Sequence, residues 1–245
     1  MVKRKSERLI RTGLSLVLVA FLGWAYAAGS FQYMLEHPDE LLHLVVQHLQ
    51  LVGLSTFLAV AVAVPLGILV TRPRFRRLEW IVVNFANVGQ TIPSLAVLAL
   101  AMSYLGLGYQ TAVFALWFHS LLPILRNTVA GMESVNPDIV DAGKGMGMKP
   151  VQVLWKLELP NASPAIFAGI RTATVINVGS AALAFLIGGG GLGDFIFTGI
   201  SLYDTGIMLA GAVPVTALAL LIDWLLGVLE KWVVPRGIQR EAELI

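Results

Sequence analysis

The sequence predicts an all-α membrane protein with six transmembrane helices, and its composition and hydrophobic stretches are the first two reasons. Of the 245 residues, 57% are hydrophobic and 13% are charged, whereas a soluble domain carries roughly 25% charged residues. A helix needs roughly 20 apolar residues to cross the hydrocarbon core of a bilayer. Stretches of this kind occur at 10–28, 47–70, 80–104, 110–132, 163–187 and 207–232.

The basic residues are the third reason, and they set the predicted topology. Six alternating spans place all 17 lysines and arginines on one side: in the N-terminal head, between spans two and three, around the connection between spans four and five, and in the tail. Lysine and arginine are enriched in cytoplasmic loops. We therefore expect a multi-pass membrane protein with both termini in the cytoplasm. The charges border apolar spans without interleaved aromatic residues, so no nucleic-acid partner is expected.

The spans differ in character along the chain. The first follows a basic head and has no convincing cleavage site, which predicts a retained signal-anchor helix. A lead-in with polar residues, from Leu41 onwards, precedes the second span, and we expect it at the membrane interface. Each of the last five spans contains a proline, which bends a membrane helix: Pro65, Pro93, Pro123, Pro164 and Pro214. We expect a five-helix core with an added first helix; ordinary kinking is the alternative reading of the prolines.

Three regions follow from this reading: 1–44 as head, first helix and lead-in, 45–232 as the transmembrane domain, and 233–245 as a cytoplasmic tail. Within the domain, the connection at about 134–160 is too long for a simple turn. Asn136 and Pro137 have the character of a helix cap and a first helical residue. Glycines then form an elbow, and a second short helix is expected from Val151 to Leu159, ended by Pro160.

The spacing in this connection resembles a known signature. From Asp141 it is Asp-Ala-Gly, three residues, Gly147, nine residues, then Leu-x-Leu-Pro. This is similar to the cytoplasmic loop of type I, binding-protein-dependent ABC importer permeases, written E-A-A, three residues, G, nine residues, I-x-L-P. Asp141, Gly143 and Leu157 are mild departures from it. The resemblance implies a loop that docks on a separate ATPase, with these coupling residues: Asp141, Ala142, Gly143, Gly147, Leu157, Leu159 and Pro160.

The resemblance also implies the partners. The chain has no P-loop, so it is not expected to be an enzyme; ATP and Mg would be bound by the partner ATPase, and no cofactor is expected here. An extracytoplasmic solute-binding protein, and a second permease copy or a related permease, would complete the assembly, surrounded by membrane lipid. Two further stretches, "GQTIPSLAVLALAM" from Gly89 and "GGGGLGDFIFTGISLYDT" from Gly188, resemble permeases for compatible solutes such as glycine betaine, choline or carnitine. A permease for an amino acid or another small solute is the alternative.

Polar residues inside spans are the candidates for the solute path, because they are costly against lipid. Two predicted stripes supply them: Asn84, Asn87, Gln90, Thr91 and Ser94 in span three, and Thr174, Asn177 and Ser180 in span five. Helix-to-helix hydrogen bonding is the alternative role for any one of them. Asp223 in the last span could pair with Arg126 or Arg171 as an intramembrane ion pair. No metal site is predicted, because His43 and His48 are five residues apart and diverge around a helix.

Two other functional classes are considered. Gly191-Leu192-Gly193-Asp194 matches the G-x-G-D string of intramembrane aspartyl proteases, whose chemistry needs two neighbouring carboxylates. The predicted topology places no second acid beside Asp194. A secondary transporter commonly needs more spans, and it would leave the docking loop unexplained.

Overall fold

The structure is a computed structural model that describes residues 31–235 continuously, with Ala20, Gly23 and Tyr26 before them. The predicted first span and the tail from 236 lie outside the continuous part. Regular structure in the described part is entirely helical, so the all-α prediction is confirmed there. Ten α-helices are labelled in chain order: α1 Gln32–Glu36, α2 Pro38–Val70, α3 Arg76–Thr91, α4 Ser94–Leu105, α5 Tyr109–Glu133, α6 Pro137–Gly145, α7 Pro150–Val153, α8 Leu159–Ala181, α9 Gly193–Leu202 and α10 Thr205–Val233.

Four helical segments of the described part are long and apolar enough to cross a membrane: Pro38–Val70, Tyr109–Glu133, Pro150–Ile187 and Thr205–Val233. They correspond to predicted spans two, four, five and six. Helix α2 begins at Pro38 and runs without a break through the boundary placed at 44, so the residues of the expected lead-in form its first turns. Counting the bent pair α3 and α4 as one span gives up to five.

The predicted third span is not a single kinked helix. Helices α3 and α4 meet at an angle of 101°, with Ile92 and Pro93 in extended conformations between them. Proline has no N–H to continue the helix and disfavours helical geometry in the residue before it. The pair therefore forms a broken span or a re-entrant hairpin, and the single polar stripe predicted from Asn84 to Ser94 is wrong as a continuous helix face.

The expected helix end at Pro160 is also wrong. A single helical segment of 38 residues runs from Pro150 to Ile187, and we call it the fifth span. It passes the proline through a π-helical turn, Leu154–Glu158, in which the Leu159 N–H donates to the Leu154 carbonyl. This wider turn accommodates a residue that lacks an N–H and crowds the preceding turn. The span ends in a 3₁₀ segment, Ala182–Ile187.

Helix α5 is the centre of the bundle. It packs against α2 on one side and α8 on another, and its small neighbours allow close approach. A Cβ at Gly67 would lie 2.7 Å from the Thr128 Cγ2, and a Cβ at Gly131 would lie 2.9 Å from the Ala165 Cβ. Small residues at such crossings are typical of membrane helices, which pack without a hydrophobic driving force between them. The core places the polar residues of α5 beside those of the fifth span.

The two ends of the bundle are made by different connections. At one end, a small pocket is lined by residues that include Arg72, Glu133 and Glu158. It lies between the turn after α2, the start of α3, the end of α5 and the π-turn. At the other end, the Gly191 N–H donates to the Gln47 Oε1 at 3.1 Å, and the Tyr33 ring packs edge-on against Phe195. The basic connections predicted to share one side therefore meet at the same end.

Candidate coupling elbow and polar cleft

The connection between α5 and the fifth span forms a compact elbow, defined here as residues 136–149. The Asn136 side chain caps α6 by accepting from the Asp138 N–H at 2.9 Å. The helix closes through a bond from the Met148 N–H to the Gly143 carbonyl at 3.1 Å. Gly147 between them has φ +77°, in the left-handed region where glycine is the least strained residue. The predicted cap, short helix and glycine elbow are therefore present.

Gly143 and Leu157 hold the elbow against the fifth span. Gly143 is buried, and a Cβ there would collide with the Leu157 Cδ1 and would approach the Met148 Sδ to 3.3 Å. These two residues are two of the three departures from the permease signature. The Leu157 tip occupies the place that the side chain of the signature's second alanine would take. The departures are therefore complementary in packing.

The opposite face of the elbow is open. The Asp141 side chain is 72% exposed and its ion pair with Lys144, 2.9 Å long, is equally open to solvent. Met146 is 72% exposed and Trp155, one turn into the fifth span, is 66% exposed. Apolar side chains that stand out from a polar surface are typical of a protein contact site. Gly143 itself lies on the inner side, so Asp141 and Ala142 are the signature residues of α6 that a partner could contact.

An ion pair ties the fifth span to the end of α2. The Arg72 Nη1 donates to the Glu158 Oε2 at 2.7 Å, and the Arg72 Nε also donates to the Ile68 carbonyl at 3.2 Å. The Glu158 side chain is only 15% exposed. Glu158 is the variable position of the Leu-x-Leu-Pro string, and it lies in the π-turn. No signal in the sequence pointed to it, because its partner is 86 positions away.

Deeper in the bundle, the break in the third span meets α5 and the fifth span. Ser94, the first residue of α4, has its Oγ 3.3 Å from the His119 Nε2 and 3.3 Å from the Ser180 Oγ. The His119 Nδ1 is buried without a hydrogen-bond partner among the described residues. Three segments thus converge on one polar cluster. Ser94 and Ser180 were predicted path residues.

A cavity of about 500 Å³ adjoins this cluster. Its polar lining comes from Gln90 at the end of α3, His119, Arg126 and Asn127 of α5, and Thr172 of the fifth span. Small-molecule sites are typically clefts of roughly 300–1,000 Å³ with a few convergent polar groups. We call this cavity, with Ser94 and Ser180 beside it, the polar cleft.

The other predicted path residues are distributed differently. Asn177 is buried and donates from its Nδ2 to the Ser55 Oγ at 2.7 Å, which ties the fifth span to α2. Thr174 bonds the Ile170 carbonyl of its own helix. Asn84 and Thr91 likewise bond carbonyls of their own helix, and Asn87 has a buried Oδ1 without a partner among the described residues. The structure thus brings Gln90, Ser94 and Ser180 together and leaves the others outside the cleft.

The predicted charge pair in the last span forms with one of its two candidates. The Arg171 Nη2 donates to the Asp223 Oδ2 at 2.6 Å, and the Arg171 Nε donates to the other carboxylate oxygen. The Glu230 Oε2 lies 3.9 Å from the Arg171 Nη1. Such a two-pronged pair compensates both charges within an apolar helix bundle. Arg126 is not part of it and lines the polar cleft instead.

The acids needed for a G-x-G-D protease are separately engaged. Asp194 accepts from the Thr198 hydroxyl of its own helix at 3.2 Å. Asp204 caps α10 by accepting from the Gly206 N–H at 2.8 Å, and Asp223 pairs with Arg171. Each of these three acids has a different partner and none is paired with another acid, so this arrangement does not support the protease chemistry.

Comparison with known proteins identifies the same family that the signature in the elbow resembles. The family model described as "Binding-protein-dependent transport system inner membrane component" matches residues 63–235. The chain is 45% identical over 213 residues to the choline transport system permease protein OpuBB of Bacillus subtilis, covering 87% of this chain and 97% of the relative. It is 46% identical over 212 residues to the glycine betaine/carnitine/choline transport system permease protein OpuCB of the same organism, covering 86% and 97%.

A relative in a second organism and two solved structures extend this result. The osmoprotectant import permease protein OsmY of Salmonella typhimurium is 43% identical over 215 residues, covering 88% of this chain and 91% of the relative. The inward-facing MetNI methionine ABC transporter matches with a TM-score of 0.73 at 24% identity, covering 81% of this chain and 99% of that chain. An amino acid ABC transporter solved with histidines matches with a TM-score of 0.67 at 16% identity, covering 82% and 97%. The two structures share the fold, and the sequence relatives confirm the predicted resemblance: the chain belongs to the family of binding-protein-dependent transport system inner membrane components.

Proposed function

We propose that this chain is the transmembrane subunit of an ATP-driven importer and forms the pathway for a compatible solute such as glycine betaine, choline or carnitine. Relatives that are 43–46% identical over at least 86% of the chain have names that specify these solutes or osmoprotectants. The proposed orientation has both termini, including the tail from 233, in the cytoplasm of the bacterial inner membrane, with the elbow on the same side.

The observation that carries the proposal is the continuity of the fifth span. One helical segment of 38 residues begins beside the elbow and contains Ser180 of the polar cleft. A force applied at the elbow would reach the cleft through the hydrogen-bonded backbone of that segment. A transporter requires such a link, because ATP binding elsewhere must favour one of two arrangements of the pathway by several kcal/mol.

The partners follow from this arrangement. A separate ATPase subunit binds ATP and Mg and receives the open face of the elbow, where Asp141, Ala142 and Gly147 are exposed. Gly143 and Leu157 transmit the movement through their contact, and Leu159 and Pro160 follow the π-turn that redirects it. A solute-binding protein delivers the solute on the opposite side of the membrane. A second permease, either another copy or a related chain, closes the pathway about a two-fold axis.

The experiment that tests the transport proposal is recovery of the native membrane complex followed by uptake measurements. The tagged chain is purified from its native membrane, reconstituted with the subunits that accompany it, and supplied with ATP and labelled glycine betaine, choline or carnitine. ATP-dependent accumulation of at least one of them is expected. Recovery of the chain without any ATPase subunit, or the absence of uptake of all three, would contradict the proposal.

A glycine substitution at the elbow tests the coupling role. No atom lies within 4 Å of a Cβ placed on Gly147, so a side chain fits, but φ +77° strains most residues by about 1–2 kcal/mol. Gly147→Val should abolish uptake and uncouple ATP hydrolysis from solute while the chain still inserts into the membrane. Gly147→Asn is the matched control, since asparagine tolerates left-handed geometry. Normal solute-stimulated ATP hydrolysis in the valine variant would contradict the proposed coupling role of Gly147.

A further inference from the structure

Arg126 is the charged group of the polar cleft. It lies on α5 about two helical turns after His119 in the chain, and it lines the same cavity as Gln90 and Thr172. No aspartate or glutamate is among the residues that line this cavity in the described part of the chain. The cleft therefore has a fixed positive charge and no fixed negative one.

Arg126 also has no hydrogen bond or ion pair to any residue between 31 and 235. Two carboxylates of other helices have arginine partners of their own, Asp223 with Arg171 and Glu158 with Arg72. Arg126 is exposed where it lines the open cavity, so a solute that enters the cleft can reach its guanidinium group. An anionic group such as a carboxylate is the complementary partner for this charge.

The break in the third span adds to this positive potential. Helix α4 has 12 residues and begins at Ser94, whose Oγ is 3.3 Å from His119 at the cavity wall. The N-terminus of a helix carries a partial positive charge, and half-helix ends near the middle of a membrane bind anionic substrate groups in transporters. The partial charge of this helix end and the charge of Arg126 thus have the same sign on the side of the cavity next to His119.

We infer that Arg126 binds the carboxylate of a zwitterionic solute in transit, so that the pathway favours glycine betaine and carnitine over choline. This inference rests on the proposed function and narrows it. Glycine betaine and carnitine combine a quaternary ammonium group with a carboxylate, whereas choline has the ammonium group alone and is repelled by the guanidinium. No Phe, Tyr or Trp lines the cavity within the described residues, so cation–π binding of the ammonium end does not offset that repulsion.

Uptake ratios in the reconstituted complex test the inference. Glycine betaine, carnitine and choline are followed separately with the wild type, Arg126→Gln, Arg126→Lys and the control Arg77→Gln, which removes the same charge from an exposed residue outside the cleft. The same binding protein serves every variant. A change in the ratio of betaine to choline uptake therefore reports on the permease and not on solute capture.

We expect Arg126→Gln to lower the ratio of betaine to choline uptake about tenfold, a factor that corresponds to ~1.4 kcal/mol and is near the lower end for a hydrogen bond to a charged group. Arg126→Lys should keep most of the preference, and Arg77→Gln all of it. The melting temperature of each purified complex shows whether a variant is folded, and Arg126→Met, which also removes the charge, replaces the glutamine variant if that one is not folded.

Each other outcome has a distinct meaning. Wild-type uptake with an unchanged ratio in Arg126→Gln overturns the inference and leaves the proposed function standing. Equal loss of all three solutes in a folded Arg126→Gln complex also overturns it, because that pattern fits a structural role or a bound lipid phosphate. Absence of uptake of all three solutes by the wild type refutes the proposed function itself.

Discussion

Substitutions that add one methylene group at Gly143 and remove one at Leu157 test how the elbow is held to the fifth span. The two residues touch, and a Cβ at 143 would collide with the Leu157 Cδ1. Gly143→Ala adds a methylene at this contact, Leu157→Val removes one, and the double variant keeps the total side-chain volume. The complementary packing predicts that the two changes are strongly coupled.

The magnitude follows from three terms. Alanine gains about 1 kcal/mol over glycine in a helix, but overpacking costs about 1–3 kcal/mol, so Gly143→Ala alone should destabilise the elbow by about 1 kcal/mol. Leu157→Val should cost a similar ~1 kcal/mol through the cavity that it leaves. The double variant removes both faults and keeps the helix gain of alanine, so it should be more stable than the wild type by about 1 kcal/mol. The expected coupling energy is therefore about 3 kcal/mol, at the upper end of the usual range for residues in contact.

Hydrogen exchange of the full-length chain in lipid discs measures this locally. The amides of Met146, Gly147 and Met148 bond carbonyls within the elbow, so their protection reports its opening. A coupling of about 3 kcal/mol corresponds to roughly a hundredfold difference in protection between the double variant and the sum of the single variants. Additive effects, or greater protection in Gly143→Ala alone, would show that Leu157 does not fill the position next to residue 143.

Three further predictions concern the elbow and the charge pairs. Asn136→Ala removes the cap of α6 and should lower protection of the elbow by about 1 kcal/mol, whereas Asn136→Asp should retain it; equal loss in both would exclude the cap. Arg72→Glu should weaken solute-stimulated ATP hydrolysis by breaking a half-buried pair of about 1–2 kcal/mol, and Arg72→Glu with Glu158→Arg should restore it; no restoration would exclude a direct charge contact. Arg171→Leu and Asp223→Leu should each reduce the yield of monodisperse protein, because each leaves an unpaired charge, and the double variant should recover yield; a lower yield in the double variant than in either single one would contradict this.

Local chemistry made part of this structure predictable from sequence. The cap at Asn136, the proline that follows it and the glycines of the elbow act within a few residues of their own positions, and the elbow has the predicted form. The hydrophobic stretches also predicted where four long spans lie, because a span is a matter of length and composition. Features of this kind do not depend on distant parts of the chain.

Features that depend on distant partners were not predictable in the same way. Pro93 was predicted to bend a continuous span and Pro160 to end a helix, yet the helix breaks and the chain turns by 101° at the first and the helix continues through a π-turn at the second. The hydrogen bonds of Ser94 to His119 and Ser180 come from segments 25 and 86 positions away. The side chain that fills the space beside Gly143 is likewise set by tertiary packing. No window of sequence contains this information.

The π-turn has a mechanical consequence for the fifth span. About 22 helical residues separate Glu158 from Ser180, which is roughly 33 Å at 1.5 Å per residue. If the span pivots at the π-turn, a tilt of about 5° moves the Ser180 end sideways by about 3 Å over that distance. The Ser94 and Ser180 hydroxyl oxygens are 3.3 Å apart, so a displacement of this size separates them. The span is thus a lever: a rotation of about 5° at the elbow is enough to open a hydrogen bond beside the cleft, and it also shifts Asn177 relative to its partner Ser55.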